Sequence, residues 1–148
     1  MWNHSKSLTL TAVWVKITFC IWVIFAVTAP FIVKQVLIVH SLSTANWFSI
    51  MIIIYLVYVP ILLILINLNR LLNKIKDGQV FIEDNVAYLR SISWACFFAA
   101  IILLAATWYQ WWLILFSGII GFFGLLMRVV KNILGEAVAL KEENDYTI

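Results

Sequence analysis

Hydrophobic residues in this chain run in long unbroken blocks rather than alternating or recurring with a helical period. The first block lies between two cations, Lys16 and Lys34, and covers 17–33. The second covers 47–66 without a charge, the third about 92–107 and the fourth about 111–130. Each approaches the roughly 20 residues a helix needs to cross a hydrocarbon core. The pattern therefore predicts an all-α membrane protein of four transmembrane helices in a single domain. The first block is the shortest, but lysine stems at both ends can snorkel toward opposite interfaces and stretch it. It reads as a retained span rather than a cleaved leader, because it is longer than a usual leader core and Pro30 would follow the cut. Pro30 and Pro60 predict kinks, with Thr28 placed to satisfy backbone that Pro30 frees.

Between the blocks lie an outer loop at 35–46, which carries His40, and a tight turn reading TWYQWW. Trp108, Tyr109, Trp111 and Trp112 in that turn predict an interfacial aromatic belt, as does Trp47 at the start of the second span. An aromatic cage for a cationic ligand is the sharper reading of the same rings. The connection at 67–91 is different. In NLNRLLNKIKD, Leu68, Leu71, Leu72 and Ile75 recur at i, i+3, i+4 and i+7, one face of a helix. Gly78 fits a C-terminal stop and Asp84 an N-cap for the next helix, with Glu83 favourable near its positive end.

Composition agrees with the blocks: 65% of the 148 residues are hydrophobic, 11% are charged, and the mean hydropathy is +1.04. Charge adds orientation. Nine of the ten cations flank the span ends on one side (Lys6, Lys16, Arg70, Lys74, Lys76, Arg90, Arg128, Lys131 and Lys141), and the opposite side has Lys34. The positive-inside rule then places both termini and the helical 67–91 connection in the cytoplasm. The formal charge of +3 lacks the dense basic run that tracks phosphates, so no direct nucleic-acid contact is expected.

Candidate chemistry is sparse. No acidic residue falls within a predicted span, which argues against ion-coupled transport, and no GxSxG, HExxH or Walker loop occurs. No catalytic residue, cofactor or metal site is predicted. Cys20 and Cys96 read as small buried hydrophobes, at depths that would let them touch. Ser117 and Gly121 form a small-xxx-small pair with Gly118 and Gly124 close by, and Ser93, Cys96, Ala99 and Ala100 line the third span. These predict close helix packing, as a seam between spans three and four or as a homo-oligomer face. The tail at 135–148 is an acidic, frayed end capped by apolar bulk at Tyr146 and Ile148, a combination a partner can grip.

The stretch GQVFIEDNVAYLRSI at 78–92 and the ending ALKEENDYTI at 139–148 resemble the YoaS-like family of small bacterial four-span membrane proteins, a domain of unknown function. The family's Phe, Asn and Leu-Arg are matched by Phe81, Asn85, Leu89 and Arg90; its usual Leu-Thr-Ile ending has Tyr146 in place of the Leu. The resemblance implies the bacterial cytoplasmic (inner) membrane and a gene standing beside one for a very small helix-turn-helix regulator. The expectation is a non-enzymatic regulator, embedded in the lipid bilayer, that responds to membrane state or a ligand. It would grip that cytoplasmic DNA-binding partner with Phe81, Asn85, Leu89, Arg90, Glu142, Glu143, Asn144, Asp145, Tyr146, Thr147 and Ile148. An oligomeric pore or small-solute transporter, and an immunity protein against a membrane-active peptide, are the alternatives from other classes.

Overall fold

The computed structural model describes residues 4–39 and 47–146, so the expectations for His40, Thr147 and Ile148 lie outside the described residues. The chain forms four helices: α1 (His4–Val39), α2 (Trp47–Lys76), α3 (Glu83–Ala106) and α4 (Leu113–Tyr146). All four are long and apolar enough to cross a membrane, which makes this a multi-pass membrane protein by length and composition.

The helices outrun the apolar blocks. α1 has 36 residues and α4 has 34, or about 54 and 51 Å at 1.5 Å per residue. A ~30 Å hydrocarbon core ends a span but does not end a helix. α1 continues through Lys16, Pro30 and Lys34. α4 runs through the segment expected to fray, because Ala, Leu, Glu and Lys in GEAVALKEEN are strong helix formers. Val138 in that stretch is buried.

Neighbours in sequence are the only neighbours in space among the described residues: α1 packs on α2, α2 on α3 and α3 on α4. The helices thus stand in an antiparallel row, with α1 and α4 at its edges. This order also separates the cysteines. Cys96 is buried on α3 as expected, but Cys20 is exposed on α1, and with α2 between them the two do not touch.

Each seam has its own polar link. Between α3 and α4, Ser93 Oγ donates to the Gly124 carbonyl and Ser117 Oγ to the Ala100 carbonyl, both at 2.8 Å and buried. A Cβ on Gly124 would lie 3.2 Å from Cys96 Cβ, and one on Gly121 would lie 3.7 Å from Ala100 Cβ. Small residues here bring the two backbones together. Gly118 faces open space instead. Between α2 and α3, the buried Asn67 donates from Nδ2 to Ser91 Oγ at 3.1 Å.

The α1–α2 link corrects one expectation. Pro30 has no N–H for the carbonyl of Ala26, four residues earlier. Thr28 does not supply the donor, since its hydroxyl bonds the Ile24 carbonyl at 3.0 Å. Tyr55 on α2 does: its hydroxyl donates to the Ala26 carbonyl at 3.0 Å. Trp22 packs beside the same seam, its ring 5.8 Å from that of Tyr58.

At one end of the row the α3–α4 turn exposes Trp108, Tyr109, Trp111 and Trp112 to the surroundings. Trp108 is 92% exposed and Trp111 also points outward, as belt residues do, while Tyr109 and Trp112 line a pocket with Trp22, Phe25 and Tyr58. At the other end stand the carboxylates.

Candidate docking groove at the charged end

All seven Asp and Glu residues fall within 77–84 and 136–145, and the antiparallel row brings both stretches to one end. The first stretch is shaped by the stop of α2. Gly78 adopts φ +78°, a left-handed conformation that a residue with a Cβ enters at a cost of roughly 1–2 kcal/mol. Gln79 N–H bonds the Lys74 carbonyl at 3.0 Å and Gly78 N–H the Ile75 carbonyl at 3.1 Å. That pair of bonds is a Schellman motif, which satisfies carbonyls the helix end would leave bare.

Entry into α3 differs from the expectation. Asp84 lies inside the first turn, and the N-cap position belongs to Ile82, whose side chain caps nothing. Asp84 instead faces Lys74 at 3.7 Å, in the helix's positive N-terminal turn. Both partners are substantially exposed, so the pair is worth little in stability. No side chain caps α3; Asn85 instead ties the preceding connection to it. Its Nδ2 donates to the Gln79 carbonyl at 2.7 Å and to the Val80 carbonyl at 2.8 Å, and the side chain is fully buried. The connection is therefore folded back onto α3 by one amide.

Those contacts sort the residues expected to hold a partner. Asn85 and Leu89 are buried and shape the connection from within; neither presents a surface. Phe81, Arg90, Glu142, Asn144 and Asp145 are exposed, as is Glu143. Tyr146 closes α4.

A groove of about 360 Å³ joins the two stretches. One wall is the start of α3, with Glu83, Asp84, Ala87 and Arg90; the other is α4, with Gly135, Val138, Ala139 and Glu142. Three carboxylates and one guanidinium ring a floor that Val86 and Val138 make apolar. Electrostatically it favours a cationic guest with some apolar surface. Sequence reading placed both motifs on one side of the membrane but missed that they face each other, since that depends on the register of α3 against α4. The small residues Ser117, Gly121 and Gly124 were the signal for that register.

Residues 14–148 match a family model described as a protein of unknown function (DUF2975). No curated protein and no solved structure matches the chain.

Proposed function

The chain belongs to the DUF2975 family of proteins of unknown function, and we propose that it is a non-enzymatic regulator in the bacterial cytoplasmic membrane, both termini inside, that docks a small helix-turn-helix transcription factor. The finer resemblance, to the YoaS-like proteins, supplies the expected partner. The observation that carries the reading is the groove: residues 83–90, within the first segment that bears the resemblance, face 135–142, which overlaps the second at Ala139 and Glu142. DNA-binding domains present clustered Lys and Arg. A rim carrying Glu83, Asp84 and Glu142 matches such a surface in sign, and would compete with DNA for it.

On this reading the spans set how much of the groove is available, and the membrane holds the regulator away from its operator. The test is co-purification of the full-length protein, from native membranes, with the regulator encoded beside it. Wild type is expected to retain the regulator, and the E83K/D84K/E142K variant to lose it. Added operator DNA is expected to release it as well. Equal retention by the charge-reversed variant sinks the groove as the docking site.

A further inference from the structure

Charge is divided along the row as well as between its ends. Residues 1–76 hold six cations and no carboxylate; residues 77–148 hold seven carboxylates against four cations. Because α1 packs on α2 alone and α4 on α3 alone, the first half of the chain forms a cationic flank with the acidic groove on the other side of it. On this flank a cleft of about 390 Å³ opens between α1 and α2. Lys16 lines it from α1 and Arg70 from α2, together with Val15, Phe19, Leu65 and Ile66.

We propose that this cleft binds one anionic phospholipid, with its phosphate between Lys16 and Arg70 and an acyl chain along the apolar wall. Three observations converge on that occupant. Among the described residues neither cation is paired with a carboxylate, whereas Lys74 is paired with Asp84. Lys16 directly precedes the apolar block of α1 and Arg70 follows that of α2 by four residues, so both stand at headgroup depth. Apart from Asn69, the rest of the cleft lining is apolar, and a soluble anion would leave it unfilled. Guanidinium and ammonium groups from two helices hold a phosphate diester by charge and by geometry. The bound lipid would also bridge α1, an edge helix with one neighbour, to the rest of the row.

The test uses the purified full-length protein in a neutral detergent, titrated with phosphatidylglycerol, phosphatidylcholine or inorganic phosphate. Native mass spectrometry reads lipid retention, and thermal unfolding reads the stabilising shift. Wild type is expected to retain one phosphatidylglycerol and little phosphatidylcholine, with no shift from phosphate. At about 1 kcal/mol per cation near an anionic surface, K16Q/R70Q should bind phosphatidylglycerol roughly 30-fold more weakly. K16R/R70K should stay near wild type, and so should K34Q, which changes the cation expected at the opposite interface. Should the double variant fail to elute like wild type, K16Q and R70Q singly carry the test, each about fivefold weaker. Undiminished phosphatidylglycerol binding in the glutamine variants overturns the proposal, as does equal retention of phosphatidylcholine. A shift from inorganic phosphate equal to that from the lipid marks a free-anion site and overturns it too.

Discussion

Replacing Tyr55 with Phe tests how this protein tolerates a proline inside a membrane helix. The substitution removes one hydroxyl and almost no volume. What it takes away is the 3.0 Å hydrogen bond to the Ala26 carbonyl, the group that Pro30 leaves without a helical donor. In lipid no water replaces it. Interhelical hydrogen bonds in membrane proteins average about 0.6 kcal/mol and reach about 1.7, while a stranded acceptor costs about 1–3 kcal/mol. We expect Y55F to destabilise by about 1 kcal/mol. Pro30→Ala returns an N–H to the same carbonyl, so in that background Y55F should cost close to nothing. The assay is a double-mutant cycle measured by reversible denaturant unfolding in mixed micelles, with a coupling near 1 kcal/mol expected. Independent sites add to within about 0.3–0.5 kcal/mol. A coupling inside that band means that Tyr55 does not serve the carbonyl freed by Pro30, and the account is wrong.

Two further substitutions probe the rest of the frame. Gly124→Val should push α3 and α4 apart, because Cys96 Cβ and the Phe97 ring already stand 3.2–3.3 Å from where a Cβ would lie; overpacking of this kind costs about 1–3 kcal/mol, whereas Gly118→Val, facing open space, should leave thermal unfolding unchanged. Asn85→Ala removes both donors that hold the Gln79 and Val80 carbonyls, and should cost about 1–3 kcal/mol and accelerate proteolysis within 77–84, while Phe81→Ala, at an exposed site, should do neither.

How far the sequence reveals this fold depends on the range of the interaction concerned. The four helices follow from apolar blocks, a local property that lipid enforces strongly. Gly78 was legible as a stop because a left-handed C-terminal position selects glycine on its own. Helix ends were less legible: charge marks where a span leaves the hydrocarbon, yet the backbone at Lys16, Lys34 and 131–146 has no reason to stop coiling there. Asp84 illustrates a competition that composition does not decide, since an acidic first turn suits either a cap or a partner such as Lys74. Asn85 and Leu89 stood among the candidate contact residues, but a motif can owe its residue types to the turn it builds. Least legible were contacts across helices. The bond from Tyr55 to Ala26, the meeting of 83–90 with 135–142 and the separation of Cys20 from Cys96 all depend on which helices adjoin and in what register.

The single-file order of the helices bears on how the molecule is made. Every inter-helix seam joins a segment to the one synthesised just before it, so no helix must wait for a distant partner to emerge. Loop closure is short at each step, and loop length is what slows assembly in folds of long-range pairing. Such a chain can build itself hairpin by hairpin as it leaves the ribosome, in the manner of a repeat array that grows from its last unit. The α1–α2 seam is the thinnest of the three and the α3–α4 seam the most extensive, so reversible opening should begin with α1 and not with α4.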